Sequence, residues 1–215
     1  MKRLISLILV FSLCLLLLSG CGEKKKLLGT WECSINMTEQ VGQLLADEGL
    51  GGDLPIGDFS VTLQLTFSED DRFALSMDQE KLTESFDALS KSLGQALLDT
   101  LQQKLTETGL SVDLSALLGP SSFSPEDLTE KLEQNIEKAQ LPQKLSESIA
   151  LEGFYKVSSD KLLLTDDPEA KLDEVYFPYT LENNTLTLNT HVGESIFPGD
   201  HPILISDPVT FTRVK

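Results

Sequence analysis

The sequence predicts a mainly β protein, an eight-stranded up-and-down barrel carrying an inserted helical hairpin. Three observations lead there. Short segments toward both ends of the chain alternate apolar and polar residues, the period of a strand buried on one face. Residues 81–149 between them switch to apolar spacings of three and four, the period of a helix. The alternating segments also follow one another across tight turns, an order in which antiparallel strands lose their exposed edges by closing on themselves.

The chain opens with an address. Met1-Lys2-Arg3 is positive, Leu4 to Leu18 is apolar almost throughout, and Ser19-Gly20 are small, the layout of an export signal. About 15 apolar residues fall short of the roughly 20 that a spanning helix needs, so residues 1–20 read as a removed signal peptide. Leu18-Ser19-Gly20-Cys21 resembles the lipobox of bacterial lipoproteins. That resemblance implies that Cys21 takes a diacylglyceryl group, becomes the new N-terminus and holds the exported chain on the extracytoplasmic face of a cell membrane. Two or more acyl chains anchor stably where one holds only reversibly. Residues 21–27 are then a lipidated tether, whose Lys24-Lys25-Lys26 either press onto an anionic leaflet or form a solvated spacer.

The barrel is expected from residues 28–80 and 150–215. Trp31, Cys33, Ile35 and Met37 alternate with polar residues, and a short helix around Val41, Leu44 and Leu45 follows. Phe59 to Phe67 alternates without a slip, and Phe73, Leu75 and Met77 come after the turn at Ser68 to Asp71. After residue 150, Gly153 to Val157 and Leu162 to Thr165 make a hairpin around Ser158-Ser159-Asp160. Val175 to Leu181 and Leu186 to Leu188 make a second around Asn183-Asn184, since asparagine tolerates the left-handed backbone of tight turns. Val209, Phe211 and Arg213 lie on one face of a last strand.

In the insertion, Leu82, Phe86, Leu89, Leu93, Leu97, Leu101 and Leu105 draw a stripe down about seven helical turns, ended by Gly109. Residues 110–118 read as an irregular connection. Ser124-Pro125-Glu126-Asp127 starts a second helix, with a capping serine, proline in the first turn and acids at the positive end. Pro142 starts a shorter third one through Leu145 and Ile149. The helices are either a packing layer or a lid that gates a cavity.

Gly29-Thr30-Trp31 at the head of the first strand, with Phe211-Thr212-Arg213 in the last, resembles the signature of the lipocalin and calycin superfamily. The Gly-x-Tyr at Gly153 to Tyr155 and the Leu-x-Leu at Leu162 and Leu186 are similar to the small lipocalin-like domains of bacterial lipoproteins. The resemblance covers residues 27–80 and 150–215; the insertion departs from it. It implies that Trp31 lies across a closed barrel base with Arg213 packed on it, a cation-π pair. It also implies a barrel that holds a small apolar or amphipathic ligand, with Phe59, Phe67, Phe73, Tyr155, Phe177, Tyr179 and Phe211 as the candidate lining. Those side chains are bulky. The alternative is a non-enzymatic envelope interaction or structural module whose barrel is filled by its own residues.

The chemistry of other classes is missing from the sequence. No phosphate loop, dinucleotide fingerprint, nucleophile elbow or zinc-protease motif occurs, so neither an enzyme nor a cofactor is expected. Without Lys2 and Arg3, 15 basic and 34 acidic residues leave a charge of −19, which repels nucleic acid. His191 and His201, with Glu194 and Asp200 between them, match no familiar metal spacing and read as a surface loop, so no metal is expected. Cys14 is lost with the signal, which leaves Cys33 without a disulfide partner and without a neighbouring base, a strand cysteine and not a nucleophile. A protein partner is not specified by the sequence.

Overall fold

The computed structural model describes residues 22–47, 55–107, 125–172, 176–189 and 208–214. Residues 1–20, read above as an export signal, Cys21, the connection at 110–118 and the loop holding His191, Glu194, Asp200 and His201 lie outside the described residues.

Eight strands form a barrel in which each strand lies beside the next in sequence and the last closes on the first: β1 Gly29–Asn36, β2 Ser60–Phe67, β3 Arg72–Met77, β4 Leu151–Ser158, β5 Lys161–Thr165, β6 Phe177–Glu182, β7 Thr185–Leu188 and β8 Val209–Arg213. Register decides which residues face inward. Trp31 lies opposite Arg213, Phe73 opposite Gly153, Tyr155 opposite Leu164, Leu162 opposite Phe177, Tyr179 opposite Leu188, and Leu186 opposite Phe211. Because side chains alternate between faces, these pairs place one continuous apolar set inside. The turns are tight where the chain supplies left-handed residues, Asp71 (φ 64°), Ser159 (φ 55°) and Asn183 (φ 54°).

The residues group into two compact units, Met1–Cys33 with Gln64–Ser76 and Ala150–Lys215, and Ser34–Leu63 with Met77–Ile149. In the first, the register forces a close approach at Gly153. A Cβ there would sit 2.3 Å from the Thr165 carbonyl oxygen and 2.8 Å from the Phe73 ring, so only glycine fits between β3 and β5.

The second unit holds the helices α1 Thr38–Asp47, α2 Gln79–Glu107, α3 Pro125–Ala139 and α4 Leu141–Ile149. Asp78 Oδ1 accepts from the Lys81 amide at 3.1 Å and caps α2. Ser85 Oγ donates to Ser60 O at 2.7 Å, and the Phe86 ring meets Phe59 edge-on at 5.1 Å, which seats α2 on the start of β2. α2 packs along α3 and touches α4, where Gln79 Nε2 donates to Ser146 Oγ at 3.3 Å. The expected stripe is buried at Leu82, Leu89 and Leu93, with Ala96 beside them, but Leu101 is exposed and Phe86 half-buried. Length accounts for this: 15 residues of α3 reach about 22 Å, half of what 29 residues of α2 span. Among the described residues no helix is long and apolar enough to cross a membrane.

Candidate functional site

In the first unit, a cluster of hydrogen bonds and ion pairs gathers at the barrel floor. It is formed where β1 begins, β8 ends, and the turns β2–β3, β4–β5 and β6–β7 fold over. Trp31 lies inside it, fully buried, and the Arg213 guanidinium carbon sits 4.2 Å from the indole centroid. The same guanidinium donates to Leu28 O at 2.6 Å and to Lys26 O. Gly29 is needed beside it, because its φ of 111° suits glycine and a Cβ would stand 3.4 Å from Arg213 Nη1. The sequence motif Gly29, Trp31 and Arg213 is thus one physical device, in which a planar cation covers an aromatic face and ties two carbonyls together.

Those carbonyls belong to the segment expected to be a tether. Residues 22–27 are helical, and four of them bond the floor. Leu27 is fully buried and its carbonyl accepts from Trp31 Nε1 at 2.7 Å. Lys26 O takes the Arg213 bond described above. Lys24 Nζ pairs with Asp71 and donates to Glu69 O at 3.2 Å. Glu23 Oε2 accepts from the Ser159 amide at 2.9 Å. Lys24 is therefore held by the β2–β3 turn, while Lys25 and Lys26 keep exposed side chains. Sequence reasoning missed this helix because its partners lie far along the chain and three successive lysines read either as pressed onto a leaflet or as a solvated spacer. Leu27, an apolar residue two positions before Gly29, was the one available signal.

Above the floor, aromatic and leucine side chains of the strands are buried. The Phe67 and Tyr155 rings meet edge-on at 4.9 Å, and Tyr155 Oη donates to Ser68 O at 3.1 Å. Phe73 lies against Gly153. Phe67, Phe73, Tyr155, Tyr179 and Phe211 are buried, and Phe177 is half-buried. Phe59 is buried too, but its ring contact is with Phe86 of α2 and not with this cluster. Trp31, Tyr155, Leu162, Leu186 and Leu188 are 0% exposed, so no space for a water molecule adjoins any of them. Burial, with the carboxylates of Asp71 and Asp70 nearby, pushes the Tyr155 phenol up to about 12. Burial, with Glu23 and Asp160, does the same for Tyr179, also to about 12.

The remaining chemistry is sparse. Cys33 is half-buried on the Trp31 face of β1, and its burial pushes the thiol up, away from the reactive thiolate. The Ser68 hydroxyl, the largest influence on Asp70, holds that carboxyl below its usual range within the β2–β3 turn. An open groove of about 460 Å³ runs outside β4 between Lys24, Asp71, Phe154, Lys156 and Pro168. Lys24 there is taken up by Asp71, and Lys156 Nζ donates to Ala170 O at 2.6 Å. Among the described residues no three histidine, cysteine or carboxylate groups gather as metal ligands.

No protein-family model, no curated protein and no solved structure matches the chain.

Proposed function

We propose that this is a lipid-anchored, lipocalin-like protein of the cell envelope that acts as a non-enzymatic interaction module, its barrel a filled mount. The observation that carries the reading is the interior: of the aromatic side chains named as a lining, Phe67, Phe73, Tyr155, Tyr179 and Phe211 are buried, and Trp31, Tyr155, Leu162, Leu186 and Leu188 are 0% exposed. A barrel packed this way presents its chemistry on the outside. The most one-sided surface chemistry belongs to the helical unit, whose segments carry 18 acidic against 6 basic residues. A protein partner that engages it through charge is basic, and that association weakens with salt.

Carriage of a small apolar or amphipathic ligand is the second reading. What favours it is the architecture itself, a closed eight-stranded antiparallel barrel with an aromatic floor, which is compatible with a lipocalin-like binding fold. Anchoring rests in both readings on Leu18-Ser19-Gly20-Cys21.

Native mass spectrometry of protein purified from its own cells, together with titration of an apolar fluorescent probe, separates the two. The filled barrel predicts a bare polypeptide plus its acyl groups and no saturable probe binding. A retained small molecule, or one saturable probe site, overturns it in favour of carriage. In the same material Cys21→Ala is expected to abolish acyl labelling, and unchanged labelling would sink the anchoring reading.

A further inference from the structure

We infer that the barrel floor is the membrane-facing surface of this protein, and that residues 22–28 form a rigid strut which seats the floor on a lipid surface. The inference rests on acylation of Cys21 and adds to it an orientation.

Cys21 is one peptide bond from Gly22, about 3.8 Å between Cα atoms, and the six helical residues 22–27 advance only about 9 Å. A flexible lipoprotein linker would let the domain wander above the bilayer. Here the segment is fastened from both sides, by Glu23 to the Ser159 amide, by Lys24 to Asp71 and Glu69 O, and by Arg213 to Lys26 O and Leu28 O. Leu27 is fully buried beneath Trp31. Acyl chains carried by Cys21 would therefore reach the bilayer within about a nanometre of the floor, by covalent reach from Gly22, and bring the floor to the headgroups with them.

Charge agrees with the seating. Residues 22–28, 68–72, 158–161, 182–185 and 213, which build the floor, hold six acidic and six basic side chains in a chain whose net charge is −17. An anionic leaflet thus meets a balanced surface there, with the Lys25 and Lys26 side chains exposed toward it. The helical unit, 18 acidic against 6 basic, could not face the same leaflet without repulsion.

The test uses the acylated protein, extracted from membranes and reconstituted into phosphatidylcholine vesicles containing phosphatidylglycerol and a lipid with a headgroup-attached short-range quencher. In a Cys33→Ser background, a fluorophore is placed at Ser159→Cys, in the exposed floor turn, or at Glu152→Cys, exposed and about 23 Å away along the chain of β4. The floor label is expected to lose a clearly larger fraction of its emission than the Glu152 label, because a short-range quencher in the headgroups does not reach across the roughly 23 Å between the two sites. Inserting a Gly/Ser segment of about twenty residues between Cys21 and Gly22 is expected to bring the two labels to equal quenching. Equal quenching without the insertion, stronger quenching at Glu152, or an asymmetry that survives the insertion each overturns the strut. An intact mass without acyl groups on Cys21 overturns the anchoring reading instead, and is recognised before any vesicle is made.

Discussion

Replacing Arg213 by alanine tests the floor directly. The substitution removes a cation 4.2 Å above the Trp31 ring centroid, a pairing worth about 0.5 to 2 kcal/mol. It also removes the donor of a 2.6 Å charge-assisted bond to Leu28 O and of a second to Lys26 O, of which the first, half-buried, is worth about 1.5 to 3 kcal/mol. The exposed second bond adds little. Together these give a loss of about 2 to 5 kcal/mol, or a fall in melting midpoint of about 4 to 20 °C at about 2 to 4 °C per kcal/mol. Trp31 is the only tryptophan and is fully buried, so its emission is expected to be blue-shifted and shielded from acrylamide in the wild type, and to move to the red in Arg213→Ala. Arg213→Lys keeps a charge over the ring but lacks the planar fork that reaches two carbonyls, and should fall between the two. An Arg213→Ala protein with unchanged urea midpoint and unchanged Trp31 emission would refute the idea that cation, indole and N-terminal segment form one structure.

Three further outcomes follow from other parts of the molecule. Gly153→Ala forces a Cβ to 2.3 Å from the Thr165 carbonyl oxygen and should cost about 1 to 3 kcal/mol in urea unfolding, with Gly153→Val worse; a neutral alanine would mean that β4 and β5 lie farther apart than described. Leu82→Ala removes a fully buried side chain near the start of α2 and should cost about 2 to 5 kcal/mol, whereas Leu101→Ala, at an exposed site, should be close to neutral. Tyr155 and Tyr179 bind their protons more tightly folded than unfolded, so the stability linked to them is complete below about pH 10 and is lost as pH rises toward about 12. Unfolding midpoints that stay flat across that window, or phenolate absorbance that rises without loss of structure, would contradict their burial.

Much of the barrel could be read because one face of each strand is buried. Phe59 to Phe67 shows the period of two without interruption, and Val61, Leu63, Leu65 and Phe67 are buried in β2. Asn183 was legible as a turn for a local reason, its tolerance of positive φ, now 54°. Helix α2 was legible from its leucine spacing, yet the sequence overstated how far the buried stripe runs, since burial at Leu101 depends on the reach of a partner helix and not on spacing. β1 stops at Asn36, one residue short of expectation, as Asn36 Oδ1 accepts from the Thr38 amide at 2.9 Å and turns the chain into α1. What stayed hidden is the strut. Its bonds join residue 24 to 71, 23 to 159 and 26 to 213, and no local pattern encodes a partner that distant.

That hidden segment changes what the core is. The indole of Trp31 has a single hydrogen-bond donor, and the Leu27 carbonyl, outside the barrel strands, is the acceptor that satisfies it at 2.7 Å. Peeling residues 22–28 away would leave that donor buried without a partner, a cost of about 1 to 3 kcal/mol, and would expose Leu27 and one face of the floor at the same time. Residues 22–28 therefore unfold with the barrel and not before it.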